Sequence, residues 1–318
     1  PARGEADDSA DPVDSGDSGD TGETGDTAIP IPEDNIANVL GDCLGSFREP
    51  DEYPNQLISG TELQRYTLHD PEAVCNDGTR AVMYVRPSTS AELANVWEIH
   101  LQGGGNCASW EDCAARYCGT GYYDASKLSS TYAPLDVGAT GIPDDGAANL
   151  LSGANHAFFY YCSSDGWGGS GSVTYTAADG TSPDYTMFER GHTIVTSGIA
   201  ELEAGVVADG GVEMPALTDA SFVLLNGTSA GSAGARVHAD WLTERLDANG
   251  TGVRAVFDAA NDPAREVLAP EYQAQFDTLY ANIWSDNLAG RDYSPWLDES
   301  CLGYFGGTTV SDGISQQT

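Results

Sequence analysis

A serine flanked by glycines is the residue of this sequence best suited to chemistry. Ser229 lies in the run Gly-Thr-Ser-Ala-Gly at 227–231, after the apolar segment Phe-Val-Leu-Leu at 222–225 and before a helical pattern. A strand, a sharp turn and a helix in this order form a nucleophile elbow, because small flanking residues let the serine hydroxyl stand exposed in a strained turn. A plain glycine-rich turn is the alternative. The context favours a serine that attacks an acyl carbon.

A second glycine-rich segment could bind the negative charge that such an attack creates. Gly103, Gly104 and Gly105 follow an apolar run that ends at Leu101-Gln102. Consecutive glycines after an early strand let backbone N–H groups point into a site, where they and the N–H after the nucleophile can bind an oxyanion. A mobile loop is the alternative here, but two glycine-rich turns together favour acyl transfer.

Five short motifs follow one another over about residues 70 to 260. They are Cys-Asn-Asp-Gly-Thr at 75–79, Leu-Gln-Gly-Gly-Gly-Asn-Cys at 101–107 with Cys113, Tyr-Cys-Ser-Ser-Asp-Gly-Trp-Gly-Gly at 161–169, Phe-Glu-Arg-Gly at 188–191, and the serine run with His238-Ala239-Asp240. In this order they resemble the pectin acetylesterase and Notum family. The resemblance implies an α/β-hydrolase-like fold, with a mostly parallel sheet flanked by helices. It also implies a serine carboxylesterase that deacylates a polysaccharide hydroxyl or, in the Notum branch, a lipidated protein.

The resemblance assigns chemical roles to four residues. Ser229 is the nucleophile, and the backbone N–H groups of Gly104, Gly105 and Ala230 are the oxyanion-hole donors. The sequence departs from the family at Gly105, where a tryptophan is frequent. No cofactor or metal is expected, because a chain with five histidines and no Cys-x-x-Cys pair offers no convincing zinc set.

The rest of a catalytic triad is not evident. Such hydrolases order their triad as serine, acid, histidine, and His238 is the one histidine after Ser229. Nine helical residues of about 1.5 Å each separate the two by roughly 13 Å, so we interpret His238 and Asp240 as structural. The other candidate bases, His100, His156 and His192, are also interpreted as structural. Asp258, at the end of the next strand, is the fallback acid.

In the family, the acid and the histidine come from a stretch beyond the segment that matches Cys301. Because the sequence stops at Thr318 without a recognisable final strand, we expect it to be C-terminally incomplete. A chain without its base is expected to be a poor esterase with uncovered sheet edges.

The seven cysteines favour an oxidising compartment. A short loop predicts a disulfide between Cys107 and Cys113, and the resemblance implies another between Cys75 and Cys162, which lie in family motifs at sheet ends. Seven is an odd number, and Cys301 is expected to lack its partner.

The hydrophobic pattern alternates strands with helices, which predicts a largely parallel α/β sheet. Short β-branched or aromatic runs predict strands at 81–85, 96–101, 156–161, 222–225 and 253–257, and longer patterns predict helices at 193–206 and 230–246. Residues 119–155 and 163–187 are rich in Gly, Ser, Thr, Asp and Tyr, and are expected to form long loops over one edge of the sheet.

The charge balance excludes a nucleic-acid binder. The chain has 49 acidic and 13 basic residues, a net charge of −36, and only one lysine, Lys127. Residues 1–36 hold eleven Asp or Glu and no aromatic residue, which predicts a disordered acidic linker before an esterase domain at 37–318. Such linkers commonly follow a surface anchor, so we expect a secreted or cell-surface protein, with a membrane tether through a removed N-terminal anchor as one hypothesis.

The leading functional hypothesis is a secreted carboxylesterase that removes O-acyl groups, acetyl above all, from a polysaccharide such as pectin. The polar loops favour an acylated carbohydrate as the partner. One alternative is a lipid or protein deacylase of the same fold, which would need a large apolar pocket. Another is a non-catalytic binding module that lacks the catalytic histidine.

Overall fold

The computed structural model describes residues 29–41, 43, 63–121, 123–138, 149–259 and 269–274. The helices in these ranges are α1 (Ile36–Val39), α2 (Trp110–Tyr117), α3 (Gly191–Ala204) and α4 (Ala230–Asp247). The strands are β1 (Leu63–Thr67), β2 (Val82–Arg86), β3 (Val96–Leu101), β4 (Asp136–Val137), β5 (Asn155–Phe159), β6 (Gly171–Tyr175), β7 (Tyr185–Glu189), β8 (Phe222–Thr228) and β9 (Gly252–Asp258). Short 3₁₀ turns cover Ala91–Leu93, Ala125–Lys127, Ser130–Tyr132 and Leu217–Asp219.

Seven of these strands form one mixed sheet in the order β4-β1-β2-β5-β3-β8-β9. The half of the sheet from β5 to β9 is parallel, and β1 runs in the same direction because β2 is antiparallel to both β1 and β5. Helix α4 packs against β8 and β9. The expected α/β-hydrolase-like architecture, a mostly parallel sheet with flanking helices, is confirmed.

Three of the predicted strands, β2, β3 and β5, are buried on both faces. All five residues of β2 and all five of β5 are buried, and in β3 only Val96 is partly exposed. Continuous apolar runs of this kind are typical of parallel strands covered by helices. Both predicted helices are present with slightly different ends, as α3 and α4.

Sequence patterns missed the elements that are short or polar. The segment 163–187, expected to be a loop, contains most of a two-stranded sheet of β6 and β7. Strand β6 buries only two of its five residues, so its composition is that of a loop. The expected linker at 1–36 is also too long, because Asn35 and Ile36 are fully buried. The remainder of that linker, residues 1–28, lies outside the described residues.

Three disulfides tie the described segments together. The predicted pairs Cys75–Cys162 and Cys107–Cys113 are confirmed. A third disulfide joins Cys43 to Cys118, which no sequence pattern indicated. Cys301 lies outside the described residues. Among the helices of the described ranges, none has the length and apolar composition needed to cross a membrane.

Candidate active site

Four neighbouring parallel strands end at one edge of the sheet, in the order β5, β3, β8 and β9. Each leads into a segment that the sequence singled out: residues 160–169 after β5, residues 102–107 after β3, and Ser229 after β8, while Asp258 is the last residue of β9. The carboxyl ends of parallel strands are where open α/β sheets bind ligands. The topology therefore brings distant motifs to one place.

Ser229 occupies the sharp turn between β8 and α4. Its backbone has φ 57° and ψ −119°, a conformation that a residue with a side chain rarely adopts. Such strain costs about 1–3 kcal/mol and is common at functional sites. The turn is close to β3, because a side chain on Gly231 would overlap the carbonyl oxygen of Leu101. The arrangement has the geometry of a nucleophile elbow.

Two sets of backbone N–H groups lie beside the serine. Ala230 is the first residue of α4, and the first N–H groups of a helix have no partner within it. On the other side, a Cβ on Gly103 would be only 3.3 Å from the Cβ of Ser229. Gly104 and Gly105 continue this loop with positive φ, 61° at Gly105. Ala230 thus follows Ser229 directly, and the loop that holds Gly104 and Gly105 begins beside it at Gly103, while the oxyanion-hole roles of Gly104, Gly105 and Ala230 stay predictions.

The glycine loop is held by the segment that follows β5. The carbonyl oxygen of Gln102 accepts a hydrogen bond from the indole Nε1 of Trp167 (3.0 Å), and its side-chain oxygen accepts one from the N–H of Tyr161 (2.9 Å). At the far end of the loop, the Tyr161 hydroxyl donates to Oδ1 of Asn106 (3.0 Å). Bonds at both ends restrict where the glycine N–H groups can point.

A buried carboxylate organises that supporting segment. Asp165 is 2% exposed. Its two oxygens accept four hydrogen bonds, from the hydroxyl of Ser163 (2.6 Å) and the backbone N–H groups of Trp167 (2.9 Å), Gly169 (3.0 Å) and Gly191 (2.7 Å). It thus joins the loop after β5 to the start of α3. The motif at 161–169 was noted in the sequence, but this function of Asp165 was not.

Two histidines of the helices form a buried pair. Nδ1 of His192 lies 3.0 Å from Nε2 of His238, and the rings stack. Nδ1 of His238 lies 2.7 Å from the carbonyl oxygen of Gly234. Burial lowers the pKa of His192 to about 2 and that of His238 to about 4. These contacts agree with a structural role for both residues.

Two further histidines belong to a polar network between the central strands. Nδ1 of His100 pairs with Oδ1 of Asn226, whose Nδ2 donates to Oε1 of Glu98 (3.1 Å). The other Glu98 oxygen is 3.4 Å from Nε2 of His156, which also meets the carbonyl oxygen of Leu151. Burial raises the pKa of Glu98 to about 7 and lowers that of His100 to about 4. The fifth histidine, His69, is exposed on the surface.

Asp258, the fallback acid, lies next to the elbow. Its carbonyl oxygen accepts the N–H of Ser229 (2.9 Å), and its carboxylate accepts the hydroxyl of Thr228 (3.1 Å). The side chain is exposed. Both contacts are with residues of the elbow, so Asp258 lies beside the serine. Within the described ranges, no cluster of three or more His, Cys, Asp or Glu side chains could hold a metal ion.

Several known proteins are similar to this chain. Palmitoleoyl-protein carboxylesterase notum1' of Xenopus laevis is 30% identical over 205 residues, which are 62% of this chain and 36% of that protein. The inactive palmitoleoyl-protein carboxylesterase notum1b of Danio rerio is 34% identical over 113 residues, which are 34% of this chain and 75% of that protein. This chain thus spans about a third of the Xenopus relative's length.

A solved structure and a family model also match this chain. The crystal structure of the Wnt deacylase Notum from Drosophila superposes with a TM-score of 0.57 at 22% identity, covering 80% of this chain and 66% of that one. At this identity the likeness shows the fold alone. The family model for pectinacetylesterases matches residues 58–287. The match covers most of the chain, and the chain therefore belongs to the pectinacetylesterase family.

Proposed function

We propose that this chain is a serine carboxylesterase that uses Ser229 as its nucleophile. The hydroxyl oxygen attacks the ester carbonyl carbon, the bond to the alcohol oxygen breaks, and the alcohol leaves with a proton. Water then releases the acid from the acyl-serine. The N–H groups of Gly104, Gly105 and Ala230 bind the oxyanion of each tetrahedral intermediate. The observation that carries this proposal is the strained backbone of Ser229 beside the glycine loop.

The proposed substrate is an O-acetyl group on a polysaccharide such as pectin. Membership of the pectinacetylesterase family supports an acyl ester as the substrate class. The three disulfides support a secreted or cell-surface location, because disulfides persist in oxidising compartments. Asp258 remains the candidate acid of the site, on the strength of its position beside the elbow.

A second candidate function is removal of a long acyl chain from a protein. The names of the relatives favour it, because the Xenopus protein is a palmitoleoyl-protein carboxylesterase. Acetyl and palmitoleoyl esters differ by many methylene groups, each contributing about 0.8 kcal/mol when buried. Chain-length preference on otherwise equal esters therefore separates the two candidates.

The first test is covalent labelling. A fluorophosphonate is expected to modify Ser229 of the 318-residue chain, slowly unless imidazole is added as a base, and to leave Ser229→Ala unmodified, because the phosphonyl oxygen of the probe can bind in the oxyanion hole. Mass spectrometry of the peptide would locate the adduct. Turnover of nitrophenyl acetate, butyrate and palmitate then ranks the acyl groups.

Ser232→Ala is a suitable control, because Ser232 lies one helical turn further along α4 and is fully buried. The Ser232→Ala variant should still be labelled at Ser229. A folded Ser229→Ala variant with near-normal turnover would contradict the nucleophile assignment. Labelling without turnover of any ester would favour a binding module.

A further inference from the structure

The single lysine of this acidic chain lies beneath the glycine loop. Lys127 is 7% exposed, although lysine is among the residues least often buried. A Cβ on Gly104 would lie 3.0 Å from its Cδ and 3.2 Å from its Cε. The same Cβ would lie 2.8 Å from the ring of Tyr161. The Lys127 side chain therefore packs against Gly104 of the glycine loop.

A second buried cation lies beside the next glycine. Arg116 of α2 is 4% exposed, and a Cβ on Gly105 would lie 3.4 Å from its Nη2. Nη2 donates to the carbonyl oxygen of Asn106 (2.9 Å), and Nη1 donates to the hydroxyl of Ser164 (3.3 Å). Both acceptors are uncharged, so these bonds position the guanidinium without neutralising it.

The burial of two positively charged side chains calls for an explanation in a protein with net charge −36. Desolvation penalises each of them, and the effect of each charge reaches further in a medium of low dielectric constant than in water. The charged groups that act on Lys127 are the carboxylate of Asp124, which is itself 5% exposed, and the guanidinium of Arg116.

We propose that Arg116 and Lys127 are positioning residues of the oxyanion hole, whose positive charges act through Gly104 and Gly105 to stabilise the oxyanion. The inference rests on the proposed function, because it assigns a role to groups behind the proposed N–H donors. Preorganised charge near a developing anion lowers the barrier without a change in ground-state contacts. The main effect is therefore expected on the reaction step rather than on binding.

The test measures the rate at which the intact 318-residue chain is phosphonylated at Ser229 by a fluorophosphonate. Lys127→Met keeps the length of the side chain and removes its charge. At pH 7 its limiting rate constant is expected to be about tenfold lower, which corresponds to about 1.4 kcal/mol, with the apparent probe affinity within about twofold. Lys127→Arg should keep the rate, and Arg245→Met, which removes a surface charge paired with Glu203, should not change it.

The pH dependence separates charge from packing. Burial lowers the pKa of Lys127 to about 8. The lysine is protonated below this pH and neutral above it. The ratio of the wild-type rate constant to that of Lys127→Met should therefore fall toward one above about pH 9. Lys127→Arg stays charged above pH 9, and its rate constant there should exceed that of the wild type by about tenfold. This comparison needs no uncharged variant, and so it holds if Lys127→Met does not fold.

Each outcome of these measurements either supports or overturns the inference. Equal limiting rates for the wild type and a folded Lys127→Met overturn the inference while the labelling of Ser229 upholds the proposed function. A slower Lys127→Met whose ratio to the wild type is constant with pH also overturns it, since a packing defect does not titrate. Absence of any label on wild-type Ser229 contradicts the proposed function, and the inference falls with it.

Discussion

At the scale of single residues, buried polar groups hold the segments of the candidate site in place. Asp165 is one of them, with four donors on its two oxygens. Three of those donors are backbone N–H groups, and a buried N–H without an acceptor costs about 1–3 kcal/mol. The carboxylate therefore stabilises a segment that has little regular structure of its own.

Asp165→Asn is predicted to destabilise the protein by about 2–4 kcal/mol. One oxygen becomes an NH₂ group, which faces donors and can accept no bond from them. Urea unfolding followed by fluorescence measures the loss. Asp179→Asn is the matched control, because Asp179 accepts local bonds at an exposed turn, and its midpoint should be nearly unchanged. An Asp165→Asn variant as stable as the wild type would show that the segment repacks around the amide.

Residue roles differ in how far a sequence can predict them. The strained turn at Ser229 was predictable, because small residues on both sides of a serine are a local requirement of the elbow. The position of Lys127 was not. Its contact with Gly104 joins residues 23 positions apart, and a lone lysine carries no periodic pattern. The roles of Asp165 and Arg116 are likewise visible only in their contacts.

At the scale of elements, close packing of strand ends against α4 keeps the serine turn next to the glycine loop. The carbonyl oxygen of Leu101, the last residue of β3, approaches the helix so closely that position 231 has no room for a side chain. Gly234 continues this face, since a Cβ there would lie 2.6 Å from the Cβ of Trp167. Small residues on the first turns of α4 thus set the distance between the sheet and the helix.

Gly231→Ala is predicted to cost about 3 kcal/mol of unfolding free energy, because the added methyl group would overlap backbone that cannot move aside cheaply. The same variant should label more slowly, since the shift would occur at the elbow. Gly252→Ala in β9 serves as the control, because its methyl group would find ordinary contacts at 3.7 Å. Unfolding midpoints measure both variants. A fully stable Gly231→Ala would mean that α4 is free to slide along the sheet.

The predictability of elements depends on how apolar their sequence is, and burial alone does not decide it, because β7 is fully buried and was missed while β9 is mostly exposed and was predicted. Strands covered on both faces, such as β3 and β5, appear in the sequence as apolar runs and were predicted within one or two residues. Strand β1 buries only two of its five residues, and the hairpin of β6 and β7 lies in a polar segment, so neither had a clear period. The Cys43–Cys118 disulfide spans 75 residues, and no local spacing could indicate it.

At the scale of the whole molecule, the proposed mechanism requires a base for Ser229. A serine hydroxyl is a weak nucleophile unless a nearby group takes its proton. The chain has five histidines, and each has contacts with groups other than Ser229. Burial lowers the pKa values of His100 and His238 to about 4, far from the value near 7 that suits a general base. These contacts do not assign any of the five histidines as the base of Ser229, the proposed nucleophile.

The 318-residue chain is therefore predicted to hydrolyse esters slowly and to be accelerated by added imidazole. Imidazole has a pKa near 7 and can take the Ser229 proton from solution, so turnover of nitrophenyl acetate should rise at least about tenfold. The measurement is the initial rate with and without imidazole, corrected for the reaction of imidazole with the ester alone. Ser229→Ala should show no acceleration beyond that background.

The contrary result would identify a base within the chain. If the wild type turns over rapidly without imidazole, one of the buried histidines must reach Ser229 through a rearrangement of its present contacts. Single replacements His100→Ala, His156→Ala and His192→Ala, each checked for folding, would then find the residue whose loss slows turnover and restores the response to imidazole. His238 is the least suited of the set, because it lies on α4 itself and is bonded at both ring nitrogens.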